Sequence, residues 1–337
     1  MRISVVVLVF NLEPYIAQAI HSVLGQTRMA DEVIVVDDCS TDRSSDIVKG
    51  FGDQVSYLRT PTNSGALLAA LEGVKAATAD VVCMLDGDDY WAANKLEVVE
   101  REFVADPELM LLSHDHVRVD EYGTDLGIQD NTHRNIASIL KRATSPDDLS
   151  TLLRETILQQ KGYWLGSAYS FRKSLFDIAK FERQIADFGL DRLRQTYLDL
   201  VIAPFLVLTN PLSRVGYTPD TSFLYRIHEK ASLAGNVTPE KALKSAIKGR
   251  TINELIELIL RRNGATSAHL HRRELILREY DFLLALYRRH WSEAARLYLR
   301  LALRHWNRAQ LKKETVRLLA VRILGPDKFL RVKERHS

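Results

Sequence analysis

The 337-residue chain reads as an α/β protein: a doubly wound mixed sheet with helices on both faces, followed by a C-terminal all-helical appendage. Three observations predict this. Short β-branched runs alternate with helical patterns through the first ninety residues, the signature of parallel βαβ units. Two acidic clusters follow two of those runs directly, at the strand ends where open α/β sheets bind ligands. The charge also changes sign along the chain: residues 1–240 hold 23 Lys and Arg against 34 Asp and Glu, whereas residues 241–337 hold 23 against 9. Two parts with different electrostatic tasks are expected, an acidic domain over 1–235 and a basic helical region over 236–337.

Each element has its own signal. Ile3–Val9 is a continuous apolar run and reads as a buried parallel strand. Pro14 suits a helix start, and Ile16, Ile20, Val23 and Leu24 fall on one helical face. Glu32–Val36 is the second strand, and Thr41 is the expected cap of a helix through Lys49. Val55–Leu58, a helix near Gly65–Ala77 and Val81–Leu85 complete the regular alternation. A helix near Trp91–Ala105 follows, then strands at Leu109–Ser113 and Val117–Asp120. Residues 130–160 lean helical, Trp164–Phe171 reads as a strand, Gln195–Leu208 as a core helix and Gly216–His228 as a last strand. From Pro239 the pattern is helical, with a stop at Asn263–Gly264, a start at Ser292 and a helical hairpin over Tyr280–His305.

With 46% hydrophobic and 26% charged residues the chain is globular, which excludes disordered and fibrous classes. Its apolar runs are shorter than the ~20 residues a bilayer-spanning helix needs. Met1–Asn11 reads as a strand and not a signal peptide, and the two cysteines, Cys39 and Cys83, lack metal-type spacing. A cytoplasmic setting is expected.

The first cluster is Asp37-Asp38-Cys39-Ser40-Thr41-Asp42. Carboxylates at the end of a buried strand are costly unless they bind something, and they suit ribose hydroxyls or base N–H groups. A surplus-acid helix cap is the plainer alternative. The second cluster is Asp86-Gly87-Asp88-Asp89. Its carboxylates repel one another, and a hard divalent cation bound to phosphate oxygens would relieve that repulsion. A solvated acidic turn is the alternative here.

Taken in order, these and further stretches resemble the family 2 glycosyltransferases of the GT-A fold over roughly the first 235 residues. The match begins at Ser4–Val7 with Phe10-Asn11 and continues through Tyr15, Ser22-Val23 and Gln26-Thr27. It then takes in Glu32–Asp38 with Ser40-Thr41-Asp42, Asn63-Ser64-Gly65 and the Asp86-Gly87-Asp88-Asp89 element. Trp164–Ala168 with Phe171-Arg172-Lys173 is similar to the acceptor-side strand, and Tyr225-Arg226-Ile227-His228 to the closing segment. The resemblance implies that Phe10, Asn11, Asp37, Asp38 and Asp86 meet the nucleotide, and that Asp88, with Asp86 and His228, holds Mn²⁺ or Mg²⁺. It also implies that Asp89, Trp91, Trp164, Gly166, Ser167 and Arg226 line the sugar and acceptor side. The family's general base is an acid on a later helix, usually within a Glu-Asp pair. That pair is missing here, so Asp199 is the first candidate, Asp191 the second and Asp187 a distant third.

There are other departures from the family pattern. Cys39 and Phe10 stand where the family usually has Gly and Tyr, and the helix after Gly65 lacks the usual Arg-Asn. His114-Asp115-His116 invites a metal reading, but no third ligand stands at a recognisable spacing, so a polar strand end is preferred.

The implied activity is an inverting sugar transfer from a nucleotide-diphosphate sugar, UDP-linked by preference, to a hydroxyl of a saccharide or lipid-linked acceptor in cell-surface polysaccharide or glycolipid synthesis. The basic helices are read as a packed appendage with peripheral contact to the inner face of the cell membrane. No nucleic-acid motif accompanies the charge. A sugar nucleotidyltransferase and a non-catalytic nucleotide-sugar-binding module are the rival classes. The first would need a Gly-rich phosphate loop where Phe10-Asn11-Leu12-Glu13 stands.

Overall fold

The computed structural model describes residues 1–129, 131–159, 166–228, 238–304 and 306–334. In chain order the elements are β1 (Ile3–Val9), α1 (Ile16–Leu24), β2 (Glu32–Asp37), α2 (Ser44–Lys49), β3 (Ser56–Arg59), α3 (Ala66–Ala76), β4 (Val81–Asp86), β5 (Tyr90–Trp91), α4 (Lys95–Ala105) and β6 (Leu109–Val119). They continue with α5 (Asn131–Arg142), α6 (Pro146–Gln159), β7 (Ser170–Arg172), α7 (Ile178–Ile185), α8 (Leu190–Leu193), α9 (Leu198–Thr209) and β8 (Arg214–Arg226). The helices α10 (Pro239–Arg262), α11 (Ser267–Tyr287), α12 (Trp291–Arg304) and α13 (Arg308–Glu334) close the chain.

The strands form one sheet in the order β3-β2-β1-β4-β7-β6-β8-β5. β1 pairs in parallel with β2 and β4, while β7 runs antiparallel to both β4 and β6. β4 and β6 therefore point the same way and open at one rim. The period of two along each strand divides the core into two layers. Val6, Ile34, Val36, Val82 and Met84 face one layer with α3, α6, α9 and α10. Val5, Val7, Val33, Val35, Cys83 and Leu85 face the other with α1 and α4. This mixed sheet between helical layers, with a helical C-terminal region, is the architecture the sequence predicts.

Four details differ from the sequence reading. α2 starts at Ser44 and not after Thr41, because the Asp42 carboxylate accepts the Ser44 N–H at 2.9 Å and Asn11 Oδ1 takes the Thr41 N–H at 2.8 Å. Trp91 leaves the expected helix and, with Tyr90, pairs with Phe223 and Leu224 as β5, so α4 starts at Lys95. The two strands expected over 109–120 are one strand with register shifts between Leu109 and Leu111 and between His114 and His116. Gly166–Ala168 is a 3₁₀ turn, so the strand expected there shortens to Ser170–Arg172.

The basic region is not uniform. Ile252, Leu255, Ile256, Ile259 and Leu260 of α10 belong to the first core layer, beyond the expected boundary at residue 235. Phe282, Leu286, Leu301, Trp306 and Val321 build a separate cluster among α11–α13. Arg273, fully buried on α11, donates to Asn253 Oδ1 at 2.6 Å and to the Leu158 carbonyl at 3.2 Å, linking α11 to α10 and α6.

Candidate active site at the acidic rim

Strand register brings the two acidic clusters together. Leu8 pairs with Asp86 and Val9 with Asp37, so the carboxyl ends of β4 and β2 flank the end of β1. Gly87 can follow Asp86 only as glycine: its N–H donates to the Leu8 carbonyl at 2.8 Å, and a Cβ there would stand 2.6 Å from that oxygen. The turn so formed sends Asp88 and Asp89 to different tasks.

Asp88 stays partly open to solvent, with its Oδ2 3.1 Å from His228 Nε2. The His228 ring lies 4.6 Å from that of Tyr15. Asp89 is buried: one oxygen accepts from Ser167 Oγ at 2.7 Å and the other from the Arg226 N–H at 3.0 Å. Ser167 Oγ also accepts the Asp86 N–H at 3.0 Å, and the Trp91 indole donates to the Ser167 carbonyl at 3.1 Å. Arg226 ties the turn to its surroundings, donating to the carbonyls of Asp88 and Glu121 and to Gln18 Oε1. Its guanidinium lies 5.0 Å from the rings of Tyr15 and Tyr90. Asp89, Trp91, Ser167 and Arg226 therefore make a scaffold under the acidic turn. Their neighbours Gln18 and Glu121 carried no motif in the sequence that could have announced this role, and Tyr15 was legible only as part of the ordered match.

Gly166 brings the other end of the chain into the site. A Cβ on it would stand 3.5 Å from Asp86 Oδ2 and 3.6 Å from Asp199 Cβ, so Asp86 and Asp199 border the same gap. Asp199 lies in the first turn of α9, where backbone N–H groups and the helix dipole favour its charge. Burial still dominates and pushes its carboxyl up to about 6, against hydrogen bonds from the Leu200 and Gly166 N–H groups and the charge of Lys248. Lys248 comes from α10, where its amine contacts the Tyr197 hydroxyl.

Burial, then the charges of Asp88 and Asp199, push Asp86 up to about 8. Asp89 is raised well above the usual carboxylate range by burial, then by the charges of Asp88 and Asp86. The other two base candidates lie elsewhere. The Asp191 side chain is 92% exposed beside Arg194, and that of Asp187 is 81% exposed beside Arg262. Neither is held in a recess where it could meet an ordered acceptor. Trp164 lies outside the described residues.

On the β2 side the acids are engaged by the protein itself. Asp37 is 0% exposed; its Oδ1 accepts from the Ser40 N–H, and its Oδ2 from Tyr57 and Arg59, each at 2.7 Å. Asp38 accepts from Thr60 Oγ1, from the Ser64 N–H and hydroxyl and from the Gly65 N–H, at the start of α3. Both thus shape the loops around a ligand's place and present little surface to it. Asn11, at φ 53°, joins the β1 and β2 loops through its Oδ1. The ring of Phe10 is 43% exposed at the same rim.

Asp88 and Asp199 both place negative charge near Asp86, and that repulsion, which adds to burial in raising Asp86, is what a hard divalent cation would relieve.

Comparison with known proteins agrees with this architecture. The sequence profile of Glycosyl transferase family 2 matches residues 4–175. An uncharacterized glycosyltransferase of Nostoc sp., alr2836, is 28% identical over 273 residues, covering 78% of this chain and 77% of its own. The putative teichuronic acid biosynthesis glycosyltransferase TuaG of Bacillus subtilis is 37% identical over 98 residues, 28% of this chain and 39% of its own length. Among solved structures, S. aureus TarS 1-349 in complex with UDP-GlcNAc aligns with a TM-score of 0.52 at 20% identity, over 100% of this chain and 91% of that one. The mannosyltransferase PcManGT of Pyrobaculum calidifontis, in complex with GDP-Man and Mn²⁺, aligns at 0.53 and 17%, over 98% and 84%. At these identities the two structures establish a shared fold.

Proposed function

Because this chain belongs to glycosyl transferase family 2 and is a glycosyltransferase, we propose that it moves a hexosyl group, with inversion, from a UDP-sugar to an acceptor hydroxyl. The observation that carries this reading is the gap bordered by Asp86 on one side of Gly166 and Asp199 on the other. It sets a candidate base next to the acidic turn, across Gly166 and within one side chain's reach. The UDP-GlcNAc complex of TarS supports the donor class, and the naming of TuaG supports a saccharide or lipid-linked acceptor in polysaccharide synthesis.

In this reading Phe10 and Asn11 meet the base and ribose in a loop shaped by Asp37 and Asp38, with Asp86 nearest the ribose and diphosphate. Asp199, ionised at neutral pH, accepts the acceptor's hydroxyl proton as that oxygen bonds to the anomeric carbon. The bond from that carbon to the diphosphate breaks, and its electron pair leaves with the phosphate oxygen. Mn²⁺ or Mg²⁺ held by Asp88, with Asp86 and His228 beside it, would neutralise the diphosphate charge as a Lewis acid. Asp89, Trp91, Ser167 and Arg226 fix the walls. The full chain should release nucleoside diphosphate from a UDP-sugar in the presence of Mn²⁺, and Asp88→Ala should abolish that release. Unaltered Mn²⁺-dependent release by the variant would refute the assignment.

We also propose that the tail meets the inner face of the cell membrane. Among the described residues no helix is long and apolar enough to cross a membrane. Leu299 and Leu303 on α12, and Val316, Leu319 and Ile323 on α13, are exposed beside the exposed Arg296, Arg300, Lys312, Lys313 and Arg322. Apolar side chains rimmed by cations suit an anionic lipid surface. Co-sedimentation with anionic vesicles should drop in a Leu303→Glu, Ile323→Glu double variant; unchanged binding would refute the contact.

A further inference from the structure

The His114-Asp115-His116 stretch lacked a third ligand in sequence, and the fold supplies one from α5. Consecutive strand residues normally point to opposite faces. Here the register shift between His114 and His116 re-aims the strand, as bulges do, and Asp115 and His116 bring donors to one spot. His133 reaches that spot from α5, with its Nε2 3.0 Å from the His116 carbonyl and 3.3 Å from Asp115 Oδ1. The two imidazole rings lie 4.3 Å apart. One donor atom from each of Asp115, His116 and His133 lies within 4.8 Å of the others, a grouping found nowhere else among the described residues.

We propose that Asp115, His116 and His133 form a second divalent-metal site, of the zinc class, that clips α5 onto β6. The donor chemistry separates it from the acidic turn: two imidazoles and one carboxylate suit a borderline ion such as Zn²⁺, whereas an all-carboxylate set suits Mg²⁺ or Mn²⁺. Ligand bonds of about 2.0–2.2 Å would draw the donors to roughly 3–3.5 Å from one another, a shift within reach of side-chain torsions. The site has a dry wall and an open side. His116 is buried against the rings of Phe223 and Tyr225, while the Asp115 carboxylate keeps contact with solvent and leaves a fourth position to water. β6 opens at the same rim as β4, and an ion here would steady α5 against β6 through residues separate from the acidic turn.

The test uses the full chain stripped of metal with a chelator and titrated with Zn²⁺ against a chromophoric competitor. One equivalent should bind, should persist in Asp88→Ala and should weaken about tenfold or more in His133→Gln. Co²⁺ should give a visible absorption band that is lost in the same variant. Asp115→Asn provides an independent reading should His133→Gln fail to fold, which circular dichroism would reveal. Absence of a stoichiometric Zn²⁺ equivalent would overturn the site. So would binding that survives both His133→Gln and Asp115→Asn, or that disappears in Asp88→Ala.

Discussion

Asp199 gains its place from three neighbours that sequence spacing does not connect: the turn at Gly166, the first turn of α9 and Lys248 of α10. As general base it should contribute about 10²–10⁴-fold. Asp199→Asn should therefore lose that much of kcat while nucleotide affinity, measured by calorimetry with Mn²⁺, stays within about twofold. Asp191→Asn, at an exposed position, should leave kcat unchanged. The carboxyl's position at about 6 sets a pH limb. A base must be deprotonated, so kcat should fall about tenfold per pH unit below 6 and level off above 7. Gly166→Ala should fold, since its methyl would meet only ordinary contact distances, yet fill the gap between Asp86 and Asp199 and depress turnover. The acidic motif made Asp86 and Asp88 legible as candidates, and Asp199 became one only through the resemblance, as the acid that opens an apolar helix. Neither could show that Asp37 and Arg226 face inward, because a carboxylate and a guanidinium in sequence carry no record of which donors fold back onto them.

At the scale of elements, α4 carries an unusual load. Lys95 is fully buried beneath the Trp91 ring, its amine 4.8 Å from the ring centre, with no hydrogen-bond partner among the described residues. Burial pulls its amine down to about 7. Between pH 7 and about 10 the unfolded chain binds this proton and the folded chain does not, so stability should rise with pH across that window. Lys95→Met should stabilise the protein at pH 7 by about 1–3 kcal/mol, the usual cost of a buried unsatisfied polar group, and should flatten that rise. Denaturant titration at pH 7 and pH 9 reads both effects. The β2–α2 loop holds a second strained point, Cys39 at φ 63°, where the family pattern has Gly. Cys39→Gly should add about 1 kcal/mol, because only glycine adopts that region without a steric penalty. The strands β1, β2 and β4 were legible because each is a continuous buried run. β5 and the shifted β6 were not, since they take their form from pairing with β8.

For the molecule as a whole, the charge changes sign near residue 240, while the first core layer reaches past that point into α10. α10 completes the first core layer and α11 packs on it, tied by Arg273 to Asn253 and Leu158, whereas the far end of α11 forms a separate cluster with α12 and α13. A chain cut after residue 237 should expose that core and fail to give a soluble, cooperatively unfolding product. A cut after Tyr287 should retain both, and donor binding with them. If the shorter chain folds cooperatively, α10 is dispensable.

The order of apolar runs, their period and the acids placed directly after β2 and β4 were enough to specify a twisted α/β sheet with a charged rim, because strand patterning and burial are local properties of the chain. Long-range contact settled the rest. Which acids face a ligand, which are held by Arg59 or Ser167, how α10 comes to stand beside Asp199 and how His133 meets Asp115 all depend on segments distant in sequence. No local pattern encodes the distance between them.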